Sequence, residues 1–232
     1  MSGDGRGRGS FQDELEGLEG CLLEMAGLVE QVVAAASVAV LERDAGAAER
    51  IKHEDDRIDE LEVEIDERVV ALLALQQPMA SVLRQIIATN KVSNDLERVG
   101  DHAVNIAKAA RRLADTNPLP EIREISEMVE ITREMLSDAL AAYVARNPVT
   151  ARMVCVTDDK VDDLRRSVFR ILFTHMLEDP KRIGGALELL LVSQNLERIA
   201  DLATNIAEDV VFLVEGRTIK HGHDVSEDEG PA

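Results

Sequence analysis

Carboxylates four residues apart occur in this chain as two matched sets. Asp55 and Asp59 of "DDRID" precede Glu97 and Asp101 of "LERVGD", and Asp158 and Asp162 of "DDKVD" precede Glu197 and Asp201 of "LERIAD". On a helix, residues i and i+4 share one face a turn apart, so each pair forms a rung of two carboxyl groups. One such pair in an acidic chain reads as part of a solvated face. Two sets, each on consecutive antiparallel helices, read differently, because four carboxylates then converge on one groove. Like charges at i, i+4 cost a helix about 0.2–0.5 kcal/mol, and two unit charges ~5 Å apart repel by roughly 3 kcal/mol at an effective dielectric of about 20. Protons, arginines or cations must offset that. Arg98 and Arg198 follow each Glu directly, a step of about 100° around the helix, so they are expected to pair elsewhere. Cations remain the preferred answer. An all-oxygen set suits hard ions such as Mg²⁺, Mn²⁺, Ca²⁺ or ferric iron better than structural Zn²⁺. Asn105 and Asn205, one turn beyond each Asp, are candidates for an amide ligand or for a hydrogen bond to one.

The repetition is itself informative. Residues 92–107 and 192–207 align without gaps at ten identities in sixteen, which implies internal duplication. The copies are not equal, however. Glu62 and Asp66 of the first set correspond to Arg165 and Phe169 of the second, so the second site is expected to bind cations more weakly. His102, beside Asp101, stands off the rung and reads as a surface or interface residue. Cys21 and Cys155 have no partner at metal-ligand spacing and read as buried structural thiols.

The elements that carry these residues follow from composition and punctuation. With 45% hydrophobic residues but only five aromatic ones and no Trp, the core must be built from Ala, Val, Leu, Ile and Met, the filling of packed helices. Breaks fall at "RDAG", "QQP", "DTNPLPE", "RNP" and "EDP", several with Asn or Asp before Pro as a helix cap would require. Between them apolar residues recur at helical spacing, as in Ile58, Leu61, Ile65, Val69 and Leu72. Six helices of about thirty residues, each ~45 Å long, are predicted. Short loops make neighbours antiparallel, giving an all-α tandem repeat of two three-helix bundles over 11–116 and 117–217. Disordered tails are expected over 1–10 and, acidic, over 218–232.

Charge and composition exclude several functions. A net charge of −19 and a pI near 4.6 oppose nucleic-acid binding, which needs clustered Lys and Arg. The opening residues lack the apolar region of a secretion signal, and the longest apolar run, "VVAAASVAVL", is only ten residues and is interrupted by Ser37, so a cytoplasmic chain with no membrane insertion of its own is expected. "DDRID" and "DDKVD" also fit the DDxxD pattern of all-α isoprenoid-diphosphate enzymes, but five aromatic residues are too few to line a carbocation cavity. A ferritin-like oxidase needs Glu-x-x-His, which is absent, and "GRGRGS" lacks the Lys-Ser/Thr ending of a phosphate loop. A non-enzymatic adaptor is preferred, with metal storage or a structural role behind it.

The stretch "DLERVGDHAVNIA" resembles the signature of the PhoU family, regulators of bacterial phosphate uptake. The resemblance runs from about Phe11 to His221 and takes in "QQP", "MLEDP" and "FLVEGRTIKH". It implies paired three-helix bundles whose E(D)xxxD motifs hold multinuclear clusters of iron, zinc, manganese or magnesium, matching Asp55, Asp59, Glu97, Asp101, Asp158, Asp162, Glu197 and Asp201. It also implies a negative regulator of the phosphate-starvation response, linking the ATPase subunit of the phosphate ABC importer to a phosphate-sensing histidine kinase. Such a chain would lie at the inner face of the membrane through its partners, and a homodimer stays open. Ala200 replaces Gly100 and Leu202 replaces His102 in the second copy, though its carboxylates survive.

Overall fold

A computed structural model describes residues 5–75 and 78–219. Its elements are six long helices and one short turn of 3₁₀ helix: α1 (Gly5–Glu42), α2 (Ala47–Leu75), α3 (Ala80–Ala114), α4 (Arg123–Ala145), α5 (Pro148–Glu178) and α6 (Ile183–Glu215), with the 3₁₀ turn at Pro180–Arg182. The fold is the expected all-α tandem repeat of two three-helix bundles. Residues 5–10, expected in a tail, are helical and open α1. The tail expectations for residues 1–4 and 220–232 lie outside the described residues.

Local chemistry explains most of the breaks. After α1, Arg43 turns to φ 55° and Asp44 accepts from the Gly46 amide and the Arg50 guanidinium. After α4, Arg146 takes a left-handed φ of 49°, and Asn147 then caps α5 by accepting from the amides of Val149 and Thr150, with Pro148 in the first turn. Asp179 closes α5 and accepts from the Lys181 amide to start the 3₁₀ turn. Gly216, at φ 70°, ends α6. Asn117 departs from the expected pattern. It lies before Pro118 but caps nothing, because α4 begins six residues later with Ile122 at its N-cap. Residues 115–122 are instead a connector, long enough to carry the chain from one bundle to the other.

Helices α1, α2 and α3 pack on one another, and so do α4, α5 and α6. The two bundles meet along α3 and α6, the broadest helix–helix contact in the molecule, with α1 also touching α4. Burial on α3 comes in adjacent pairs, Ala88–Thr89, Val92–Ser93, Val99–Gly100, Ala103–Val104, Ile106–Ala107 and Ala109–Ala110, and α6 shows the same pattern at Val192–Ser193, Ile199–Ala200 and Ile206–Ala207. A helix buried on one side shows a single stripe. Doubled burial means that each of these helices faces its own bundle and the other one, and the small residues let the two backbones approach. The buried apolar residues form one continuous core from Leu15 to Leu213.

Helix α1 is long and apolar enough over Phe11–Glu42 to cross a membrane by length and composition alone, with an 18-residue stretch of mean hydropathy 1.6. Its apolar stripe is nonetheless spent inside, since Leu18, Leu22, Met25, Val29, Val32 and Ala36 are at most 1% exposed. A ten-residue run broken by Ser37 understated this helix, because the hydrophobic face continues across Gly and Glu at helical spacing.

Candidate metal centre

The neighbours α2 and α3 bring the first four carboxylates together. Burial, followed by the charges of Asp59 and Asp101, pushes Asp55 up to about 6. Asp59 and Glu97 are raised as well, each mainly by burial and then by the Asp101 charge, and Glu62 is raised by burial and by Asp66 and Asp59. Glu62 therefore joins the set, as the sequence suggested. The Asp55 carboxylate is the most constrained of them. Its Oδ1 is buried with no hydrogen-bond partner among the described residues, and it approaches Gly100 so closely that a Cβ there would stand 2.5 Å away. Glycine at position 100 is what admits it. Arg98 pairs with Asp95 at 3.5 Å, off the rung as expected, and the Lys108 charge, the smallest influence on Asp55, draws it only slightly down.

The second set is built differently. Asp158 is likewise pushed up to about 6, by burial and then by Asp201 and Asp162. Arginines reach the others: Arg165 lies 3.6 Å from Glu197, Arg198 binds Asp201 at 3.0 Å and lies 3.8 Å from Glu197, and Arg166 lies 3.9 Å from Asp162. Arg198 corrects the expectation drawn from its i+1 position, because a long side chain can swing forward to the residue at i+3 of its own helix. Glu197 keeps one buried oxygen, Oε2, without a hydrogen bond.

A hard cation therefore fits the first set better than the second. In the first, an orphaned buried oxygen and several carboxyls of raised proton affinity face one another, with only the weak opposing charge of Lys108 acting on Asp55. In the second, guanidinium groups already occupy that role. Among the described residues no three His, Cys, Asp or Glu side chains stand in a finished ligand arrangement.

The companion residues divide. Asn105 is exposed and Asn205 lines a recess of about 330 Å³ with Arg98, His102, Asp158, Arg198 and Asp201, but neither amide makes a described hydrogen bond to a carboxylate. His102 serves the bundle interface. Asn195 gives its amide N–H to the Leu191 carbonyl, so its Oδ1 accepts from Nδ1–H of His102 at 2.9 Å. Cys21 is half-buried and donates to Glu64 at 3.4 Å, while Cys155, pushed up to about 11 by burial, is an unreactive thiol. Sequence reasoning missed the pair of Lys91 and Asp209, 3.2 Å apart across α3 and α6, with the Asp209 side chain only 2% exposed. The visible signal was an Asp at the head of the apolar run 210–214 of α6.

The family model for the PhoU domain matches residues 22–110 and again residues 125–210. The chain belongs to the PhoU family. Its relatives include the phosphate-specific transport system accessory protein PhoU homologues of Clostridium acetobutylicum, 39% identical over 90% of this chain and 96% of that one, and of Aquifex aeolicus, 40% identical over 90% and 95%. Among solved structures, PhoU from Pseudomonas aeruginosa superposes with a TM-score of 0.86 at 38% identity, covering 89% of this chain and all of that one. The phosphate transport system regulatory protein PhoU from Streptococcus pneumoniae superposes with a TM-score of 0.82 at 29% identity, over 90% and 98%. These PhoU relatives are named as accessory and regulatory proteins, not as enzymes.

Proposed function

We propose that this chain is a metal-binding regulatory adaptor of phosphate uptake, working in the cytoplasm to hold down the phosphate-starvation response while phosphate is plentiful. The observation that carries this reading is the match of both repeats, over nearly the whole chain, to relatives named for phosphate-specific transport. Partners of the adaptor are the ATPase subunit of the phosphate ABC importer and a phosphate-sensing histidine kinase, so that transport state biases kinase output. Two bundles with different surfaces suit one molecule that must engage two proteins. Asp55, Asp59, Glu97 and Asp101, with Glu62 beside them, hold iron, manganese, magnesium or zinc between α2 and α3. The cation supplies charge neutralisation there rather than a reaction, and stiffens the face that α2 and α3 present. Asp158, Asp162, Glu197 and Asp201 hold a cation more weakly, in competition with Arg165 and Arg198.

Deleting the gene should switch on a phosphate-responsive reporter in high phosphate, and complementation should silence it again. A reporter that stays repressed in the deletion strain, with no second copy of the gene present, overturns the regulatory reading and favours storage of metal.

A further inference from the structure

Phe169, Phe173 and Leu177 recur every four residues on α5, and Ile183, Leu187 and Leu191 do the same on α6. That spacing places each trio on one face, and the antiparallel hairpin lays the two stripes side by side. All six side chains are exposed, from 40% at Ile183 to 72% at Leu177, and the rings of Phe169 and Phe173 stack at 6.2 Å. Beside them a groove of about 950 Å³ runs between the helices, lined by half-buried Leu164 and Leu190 with Arg165, Arg166 and Arg170 along it. Arg165 and Arg166 are tied to Glu197, Asp162 and Asp163, whereas Arg170 has no ion pair among the described residues.

The duplication provides an internal control. At the equivalent positions of the first hairpin stand Asp66, Val70 and Ala74 on α2 and Leu83, Ile87 and Lys91 on α3, with Glu62, Val63 and Glu67 in place of the three arginines. Both copies of the face therefore keep exposed aliphatic residues, Val70, Leu83 and Ile87 in the first, but carboxylates flank the first while arginines and stacked rings mark the second. Solvation alone does not call for two stacked phenyl rings and four long aliphatic side chains in a chain with five aromatic residues and a net charge of −19.

We infer that the α5–α6 groove docks an amphipathic helix of a partner protein, whose apolar stripe covers Phe169, Phe173 and Leu187 and whose flanking Glu or Asp meets Arg170. Concavity and apolar stripes at helical spacing are what a helix-in-groove interaction uses, and the unpaired Arg170 sets the charge of its rim. A second copy docked face to face would bring the same arginine rim to both sides of the contact. A bilayer is flat and leaves the groove unfilled. The inference stands on this surface and does not depend on phosphate signalling.

The test uses the full chain and two labelled synthetic helices with the same leucine stripe, one flanked by Glu and the other by Lys, read by fluorescence anisotropy. The Glu-flanked helix should bind at least tenfold more tightly. Phe169→Ser/Phe173→Ser should weaken it at least tenfold, Arg170→Glu should reverse the preference, and Leu83→Ser/Ile87→Ser on the first hairpin should change nothing. All are exposed positions, so circular dichroism and melting should match the parent. Equal binding of the two helices, or binding indifferent to Phe169→Ser/Phe173→Ser, overturns the inference. So does capture of phosphatidylglycerol vesicles that the double Ser variant loses, or a dimer in sedimentation that it dissolves, since either names a different occupant. A failed peptide assay with an intact reporter response would leave the phosphate reading standing, and the reverse result would leave the groove.

Discussion

A carboxyl that titrates near 6 in the folded chain, as Asp55 and Asp158 do, holds its proton more tightly than in the unfolded chain, where it titrates near ~3.9. The folded state therefore gains protons first as pH falls, and stability rises through the window from about 7 to about 5. Asp59, Glu62 and Glu97 are raised in the same direction. With solvent screening allowed for, each of the two strongest contributes about 1 kcal/mol. In a chelator, the guanidinium midpoint should be higher at pH 5.5 than at pH 7.5, and Asp55→Asn should raise the value at 7.5 and flatten the trend. A midpoint that ignores pH, or an Asn variant less stable at 7.5, would show that these groups are simply solvated. Metal content makes a second test. Elemental analysis should find that Glu97→Gln/Asp101→Asn loses most of the bound metal and Glu197→Gln/Asp201→Asn little of it, because Arg165 and Arg198 already compensate the second set. Equal loss in both variants contradicts the asymmetry.

Among the helices, α5 depends most clearly on one side chain. Asn147 accepts from two amides that α5 leaves without a carbonyl partner, and Pro148 needs no such partner. Asn147→Ala should cost about 1 kcal/mol, read as a lower midpoint with the slope unchanged, and Asn147→Asp should restore it. Asn117→Ala is the matched control and should leave the midpoint where it was, since Asn117 caps no helix. The dipeptide Asn-Pro is the same at both places, so only position separates them. At Asn147 the chain reverses tightly after a left-handed Arg146, while at Asn117 it must still travel between bundles. Sequence punctuation thus located both breaks but did not distinguish a cap from a connector.

For the molecule as a whole, the joint between α3 and α6 decides how it unfolds. Both helices are buried toward two neighbours, the core is continuous, and Lys91–Asp209 and His102–Asn195 cross the joint. One cooperative transition is expected for the full chain, with coincident fluorescence-label and circular-dichroism curves. Residues 11–116 expressed alone should be poorly stable or self-associate, since the second face of α3 would lie open to water. Two separable transitions, or a monomeric fragment as stable as the parent, would show that the bundles are independent. From sequence alone came the helices, their duplication, the four carboxylate rungs and the poverty of the second set, because each depends on residues close along one helix, where a fixed rise and twist convert spacing into geometry. Tertiary structure decided the rest: that the two bundles share a core through α3 and α6, that Gly100 admits the Asp55 carboxylate, that Arg198 turns onto Asp201, and that the α5–α6 face is left bare. Those outcomes depend on which faces of distant helices meet and which side chains compete for one charge, and no spacing along the chain encodes that.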